Sequence, residues 1–249
     1  LGVAVLIIVM SVMNGFRTEL IEKIVGFNAH AVVKPYEKPV VFMPDKDFTK
    51  SIFSNDGEAV IFYKNSTKGV LLKGYLENDF KELKISNNNE FFGSKNLSNN
   101  TISIGRDLSN ILRLDIGEEV TITSPSGVQT LIGSLPKQKT FLITSIFESG
   151  LSEYDENVAY INLKTLEEFF DKNSEDRFIE YYFEDPKNID YYKKILMSHF
   201  PEAFVYTWAD MNTSLFSALK VERNVMFIIL SLIIIVAAFN IISGLTILV

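Results

Sequence analysis

The stretch Val225-Met-Phe-Ile-Ile-Leu-Ser-Leu-Ile-Ile-Ile-Val-Ala-Ala-Phe239 decides how this chain is organised, because it contains no charged residue and almost no polar one. The uncharged segment continues to Val249. A bilayer core of about 30 Å needs about 20 apolar residues in a helix. A buried core helix is the alternative, but no face of this segment is polar enough to meet water. The segment therefore predicts a membrane-spanning helix.

The N-terminal end is also uncharged, and all 55 Lys, Arg, Asp and Glu residues fall between Arg17 and Arg223. Residues 1–13 are apolar except for one serine, which is too short a run to cross a bilayer alone. We expect the sequence to begin part-way through one membrane helix and to end inside another. Both helices are expected to extend beyond the membrane, and the second is expected to run unbroken from Trp208 to Val249.

The charged segment between these ends predicts a single α+β region. The expected organisation is a helix and stalk over residues 1–26, an extracytoplasmic domain over 27–206, and a second stalk and helix over 207–249. Alternating apolar residues predict strands, and longer amphipathic runs predict helices. The expected strands are 29–34, 59–63, 69–75, 119–124, 128–132, 140–147, 157–161, 179–184 and 203–207; the expected helices are 45–52 (a weak start), 106–112, 163–170 and 189–200.

Composition excludes several classes of function. A net charge of −7 and the lack of a basic run argue against nucleic acid as a partner. The chain has no cysteine, and it contains neither a Gly-x4-Gly-Lys-Ser/Thr phosphate loop nor a Gly-x-Ser-x-Gly elbow. His30 and His199 are expected to be structural or exposed, and the acidic run at 148–156 is expected to be a solvated loop. We therefore predict no catalytic residue, no metal site and no enzymatic activity of the chain itself.

A hairpin tip is the most distinctive feature of the central segment. Residues 133–139 combine a proline, which cannot extend a strand ladder, with two lysines on an otherwise acidic domain. A loop blunted against edge-to-edge aggregation is one interpretation. A protruding hook for a protein partner is the other. The hook hypothesis assigns Leu135, Pro136, Lys137, Gln138 and Lys139.

Several blocks in the chain, taken together and in this order, resemble the lipoprotein-releasing ABC permeases of the LolC/LolE family. The Val-Met-Asn-Gly-Phe and Glu-Arg-Asn-Val-Met-Phe blocks carry most of the resemblance. The blocks are Ser11-Val-Met-Asn-Gly-Phe16, Asn28-Ala-His-Ala31, Ile104-Gly-Arg-Asp107, Leu114-Asp-Ile-Gly117, Phe147-Glu-Ser-Gly-Leu-Ser-Glu-Tyr-Asp155 and Lys220-Val-Glu-Arg-Asn-Val-Met-Phe227.

The resemblance implies an architecture of four membrane helices, of which this sequence would include the first and second. It also implies a MacB-like periplasmic domain between them. That domain would have a porter-like α/β part, formed before about residue 93 and after about residue 176, and an inserted β-rich part over about 93–175.

The resemblance further implies a multi-pass permease in the bacterial inner membrane. The implied partners are a second permease subunit, a cytoplasmic LolD-like ATPase that supplies ATP and Mg²⁺ chemistry, and a periplasmic LolA-like carrier that accepts the released lipoprotein. This chain would bind no cofactor itself. Acyl chains hold a lipoprotein in the bilayer by about 0.8 kcal/mol per buried CH₂, so release needs both energy and an acceptor. The lipid anchor would occupy a cavity lined by Met10, Met13, Phe16, Met226, Phe227 and Leu230.

Two other classes of function remain open from the sequence. One is a MacB-type or FtsX-like permease that transmits movement across the membrane. The other is a membrane-tethered sensor or binding module. A tethered hydrolase has no site in the sequence to support it.

Overall fold

The computed structural model describes residues 2–36, 38–43, 48–64, 66–130 and 133–249, with the backbone alone for 2, 3, 5, 6, 125–130 and 133–135. The chain divides into two compact units. One contains residues 1–22 and 209–249, and the other contains Lys23–Trp208. The predicted limits at residues 26 and 206 stay a prediction.

The first unit consists of helices. Helix α1 spans Gly2–Phe27, so its last turns belong to the second unit, and helix α8 spans Thr213–Leu248. Among the described residues, α8 is the one helix long and apolar enough to cross a membrane, and none of its most apolar window is buried. Its 36 residues extend about 54 Å. That the apolar half of α1 belongs to a second membrane helix stays a prediction.

The second helix begins differently from the expectation. A short helix α7 covers Trp208–Met211, and Asn212, with φ −115° and ψ 35°, separates it from α8. The hydroxyl of Thr213 donates a hydrogen bond of 2.5 Å to the carbonyl of Asp210 across this break. Asn and Thr side chains compete with helical hydrogen bonds in this way. The prediction of one unbroken helix from Trp208 was therefore wrong.

The second unit is built on one large mixed sheet, which confirms the α+β class. Its strands are β1 (Ala31–Pro35), β2 (Phe48–Tyr63), β3 (Ser66–Tyr75), β4 (Phe92–Gly93), β5 (Thr101–Gly105), β6 (Glu119–Thr130), β7 (Gly133–Phe147), β8 (Val158–Asn162), β9 (Phe178–Phe183) and β10 (Ala203–Thr207). Its helices are α2 (Glu77–Lys81), α3 (Arg106–Leu112), α4 (Ser152–Asn157), α5 (Leu163–Phe170) and α6 (Ile189–His199), with single 3₁₀ turns at Ile85–Asn87 and Ser174–Asp176.

The strand order among the described residues is β10-β1-β9-β2-β3-β8-β5-β7-β4, with β6 pairing both β2 and β7. At one end of this order lie the strands that flank the predicted insertion, which are β1, β2, β3, β9 and β10. The strands within residues 93–175 follow at the other end, joined through the parallel β3–β8 pair and the β2–β6 pair. The predicted parts are thus neighbouring regions of one sheet. The predicted helix start at 45–52 was wrong from Phe48 onward, where β2 begins; residues 44–47 lie outside the described part.

A buried ion pair joins strands β3 and β9. Glu180 on β9 is fully buried, and its carboxylate accepts hydrogen bonds from the Tyr75 hydroxyl at 2.9 Å and the Tyr182 hydroxyl at 3.1 Å. The Lys73 ammonium on β3 lies 3.2 Å from the same carboxylate. Burial is the largest single effect on the pKa of Lys73 and lowers it, but Glu180, Tyr154 and Asp56 together raise that pKa above its ordinary value. The pair spans the intervening strand β2 and leaves no charge uncompensated.

Two of the blocks that carry the family resemblance pack against each other. A Cβ atom on Gly105 would lie 2.0 Å from the carbonyl oxygen of Asp155, so only glycine fits at this position. The Ser152 hydroxyl donates to the Asp107 carboxylate at 2.5 Å. The Asp155 carboxylate is buried and accepts from the backbone N–H of Ser149 at 2.8 Å. The expected solvated loop was therefore wrong for Asp155, which organises the turn before α4.

Candidate functional site

A narrow groove of about 50 Å³ lies between α1 and α8 within the helical unit. Its residues recur at i, i+3, i+4 and i+7 on both helices, the spacing that places side chains on one helical face. The lining residues are Met10, Met13, Asn14 and Arg17 of α1, and Leu219, Glu222, Arg223 and Met226 of α8.

The groove crosses the boundary between the uncharged and charged parts of the chain. Arg17 is the first charged residue of the sequence and Arg223 is the last. Met10, Met13 and Met226 lie on the uncharged side of that boundary, and Glu222 lies on the charged side. Asn14 and Leu219 also line it, so the groove combines apolar and polar side chains. Such a lining suits a ligand with an apolar tail and a polar body.

The structure brings together three of the six residues predicted for the cavity. Met10, Met13 and Met226 line the groove. Phe16 and Phe227 are 52% and 68% exposed, and neither these two residues nor Leu230 is among the lining residues of this groove.

Sequence reasoning missed the polar half of the groove, formed by Asn14, Arg17, Glu222 and Arg223. The helical spacing from Met10 and from Met226 was the signal that could have identified these residues. An unbranched thioether side chain such as methionine adapts to ligands of varied shape.

The predicted hook lies in a strand and not in a turn. Residues 133–139 belong to β7, where Pro136 faces Gly127 and Lys139 faces Ile122 of β6 in the ladder. A register shift between Thr123 and Gly127 accommodates this arrangement. Residues 131–132, between β6 and β7 in sequence, lie outside the described part, as does the side chain of Leu135. The predicted limits of the tip were therefore wrong by several residues.

The two lysines of the hook are not equivalent. The Lys137 ammonium forms an ion pair with the Asp171 carboxylate and donates to the carbonyl of Glu168 at 3.3 Å. The Lys139 ammonium lies 5.6 Å from the centre of the Phe141 ring. Pro136 and Gln138 are exposed. The positive charge of Lys137 is thus already paired with α5 within the chain, which leaves Pro136 and Gln138 as the accessible part of the predicted hook.

The described residues show no metal site: they contain no group of three or more His, Asp or Glu side chains that could hold a metal ion. Both ring nitrogens of His30 are occupied by backbone hydrogen bonds at 3.1 and 2.7 Å.

Comparison with known proteins finds several relatives that have the same name. The chain is 28% identical over 267 residues to the "Lipoprotein-releasing system transmembrane protein LolC" of Neisseria meningitidis serogroup B, covering 98% of this chain and 62% of that protein. It is 25% identical to LolC of Xylella fastidiosa, covering 98% and 62%, and 26% identical to LolC of Haemophilus influenzae, covering 100% and 64%. The chain thus spans less than two thirds of the length of these relatives. No family model matches.

Two solved structures share similarity with this chain at low identity. The periplasmic region of MacB from Actinobacillus actinomycetemcomitans is 9% identical with a TM-score of 0.46, covering 78% of this chain and 95% of that one. The extracellular domain of the noncanonic ABC-type transporter YknZ from Gram-positive bacteria is 11% identical with a TM-score of 0.43, covering 72% and 100%.

Proposed function

We propose that this chain, as a member of the LolC/LolE family of lipoprotein-releasing permeases, is the permease subunit of an ATP-driven complex that extracts lipoproteins from the inner membrane. The groove between α1 and α8 is the observation that carries the proposal. Its methionines would hold acyl chains, and its charged end would meet the polar part of the lipoprotein. The complex would place the sheet unit in the periplasm.

The proposed partners supply what the chain lacks. The sequence has no phosphate-binding loop, so a LolD-like cytoplasmic ATPase would hydrolyse ATP with its own Mg²⁺. A second permease subunit would complete the cavity, because a groove of about 50 Å³ is far smaller than the several acyl chains of a lipoprotein. A LolA-like periplasmic carrier would receive the released lipoprotein.

The groove assignment is tested by lipoprotein retention in the purified full-length complex. Met13→Asp places a charge among the proposed acyl chains, where it costs about 2.5 to 3.5 kcal/mol or more. We expect this variant to retain at least tenfold less co-purified lipoprotein than the wild type. Val12→Asp is the matched control for the cost of a charge in the membrane, because Val12 adjoins Met13 on the same helix, is 64% exposed and does not line the groove. Retention is compared at equal amounts of assembled complex. Equal retention in the two variants would contradict the assignment.

The carrier contact is a second, finer part of the proposal, supported by exposed Pro136 and Gln138 at the hairpin. Gln138→Glu is the cleaner variant, because replacing Lys137 would also break its ion pair with Asp171. We expect Gln138→Glu to weaken crosslinking to the carrier several-fold while ATP hydrolysis by the complex is unchanged. Unchanged crosslinking would remove the hook from the proposal. Exposed Glu175 offers a control position elsewhere on the domain.

A further inference from the structure

His30 makes hydrogen bonds to three separate elements of the sheet unit. Its Nδ1 atom accepts a hydrogen bond of 2.7 Å from the backbone N–H of Phe183 on β9. An imidazole nitrogen that accepts carries no proton, so in the neutral ring Nε2 carries the hydrogen and donates it to the Val25 carbonyl at 3.1 Å. Only 4% of the residue is exposed. The neutral tautomer is therefore determined by two backbone partners on opposite sides of the ring.

The main chain of His30 makes two further bonds. Its N–H donates to the carbonyl of Tyr181 on β9 at 2.9 Å, and its carbonyl accepts from the N–H of Trp208 at 3.0 Å. Trp208 is the first residue of α7, and its indole N–H donates to the carbonyl of Pro186 at 2.9 Å. His30 thus contacts both strand β9 and the start of the second helical segment.

The Val25 carbonyl belongs to the last turn of α1, where helical carbonyls have no partner within the helix. The His30 ring supplies that partner. His30 therefore binds three elements through its side chain and its own backbone. These are the last turn of α1, the first residue of α7 and strand β9. All these residues lie within Lys23–Trp208, so the arrangement belongs to one compact unit.

We propose that His30 is a positioning residue whose ring holds the end of α1 against β9, beside the start of α7 that its main chain binds, so that a displacement of α1 is transmitted to the sheet. No ring nitrogen remains to bind a metal or to take part in proton transfer. We call the two ring hydrogen bonds of His30, to Val25 and Phe183, the His30 clasp. The consequence for transport rests on the proposed function: with the clasp weakened, ATP hydrolysis would continue but release of lipoprotein per ATP would fall.

Variants that remove one bond at a time test the clasp in the full-length protein. Asn at position 30 keeps an acceptor near the place of Nδ1 and loses the donor to Val25. Gln extends its amide N–H to the place of Nε2 and loses the acceptor for Phe183. Ala loses both. Each lost bond should speed hydrogen exchange of the affected backbone about threefold to tenfold.

The expected pattern is specific to the geometry. His30→Asn should speed exchange at residues 26–28, at the end of α1, and leave the Phe183 amide protected. His30→Gln should do the reverse, and His30→Ala should do both. The Trp208 amide is an internal control, because its bond to the His30 carbonyl survives in every variant. If the three variants showed the same hydrogen exchange at residues 26–28 and at the Phe183 amide, the proposal would be overturned.

A core variant separates positioning from stability. Ile143→Val shortens a fully buried side chain that is far in sequence from His30. Ile143→Ala lowers stability further, if a larger decrease is needed to match the melting temperature of a His30 variant. At equal melting temperature, His30→Asn should lower lipoprotein release per ATP several-fold, whereas the core variant should leave it unchanged. Equal loss in both would show a merely structural role. A wild-type complex that releases no lipoprotein, yet gives the predicted exchange pattern, would reject the proposed function and leave the clasp intact.

Discussion

The two units of this chain use the same apolar residues in opposite ways. In the sheet unit, isoleucines such as Ile61, Ile102 and Ile143 are completely buried. In α8, isoleucines such as Ile228 and Ile241 are each 64% exposed, and none of the apolar window is buried. Water drives the first arrangement through the hydrophobic effect, whereas only an apolar solvent makes the second stable. The difference shows that the two units are built for different surroundings.

Charged groups follow the same contrast. The sheet unit buries a complete ion pair, Lys73 with Glu180, whereas the helical unit places Arg17, Glu222 and Arg223 along an open groove at the boundary of its uncharged surface. A buried charge must be compensated by a partner inside the protein. A charge at a groove mouth can instead interact with water, lipid or ligand.

The largest expected effect is on the buried pair. Glu180→Gln removes the carboxylate and leaves the Lys73 ammonium buried without its counter-charge, which should lower the free energy of unfolding by about 3 to 5 kcal/mol. Glu202→Gln is the control, because Glu202 pairs with Lys38 at the surface and its loss should cost less than about 1 kcal/mol. Chemical denaturation of the full chain in detergent measures both. Equal effects would show that the pair is not buried in solution.

The next effect compares isoleucines of equal exposure in the two units. Ile235 of α8 is 51% exposed and Ile111 of α3 is 50% exposed. Replacing Ile235 by Asp should disfavour membrane insertion by roughly 3 kcal/mol, because the charge would lie in hydrocarbon. Ile111→Asp should change neither insertion nor stability by more than about 1 kcal/mol, because that side chain meets water. Extraction of the full chain from membranes by alkali would distinguish them, and similar behaviour of both variants would contradict membrane spanning by α8.

A smaller effect is expected from acid, and it concerns the sheet unit alone. Burial lowers the pKa of His30 to about 4 from 6.5, opposed by the hydrogen bond to Val25 and assisted by the charge of Lys84. The unfolded chain therefore binds a proton between pH 6.5 and 4 that the folded chain does not, and stability falls as pH falls through this window. The His30 contribution between pH 7.5 and pH 5 should be about 2 kcal/mol.

Denaturation of wild type and His30→Asn at both pH values isolates that contribution, because other titrating groups act on both proteins alike. The wild type should lose more stability on acidification than the variant. A parallel loss in the two proteins would mean that His30 is not neutral and buried in the folded chain.

Local sequence patterns predicted local structure well. Helices α3 and α5 begin and end at the predicted residues, because each is a short apolar-periodic run that follows a strand. Non-local features escaped prediction. Strand β2 includes the mostly polar segment Ser54–Glu58 in its middle, because β9, β3 and β6 pair with it along its length. No local sequence pattern reveals those partners.

The site was predicted in part for the same reason. Met10, Met13 and Met226 were predicted because the family resemblance implies a cavity between the first two membrane helices, but the charged residues of the groove depend on how two helices pack face to face. The position of Pro136 within β7 depends on a bulge opposite it, which the sequence alone does not reveal. The His30 clasp joins residues 25 and 183, and only the folded sheet brings these together.

Photocrosslinking within the lipoprotein-loaded complex tests whether the groove between α1 and α8 holds the lipid anchor. A photoreactive residue is placed at Met13, at Met226 or at Val12 of the full-length protein. We expect crosslinks to the acyl chains of the bound lipoprotein from Met13 and Met226, their loss after ATP is added, and none from Val12. Equal crosslinking from Val12, or none from either methionine, would contradict the assignment of the groove between α1 and α8 as the site of the lipid anchor.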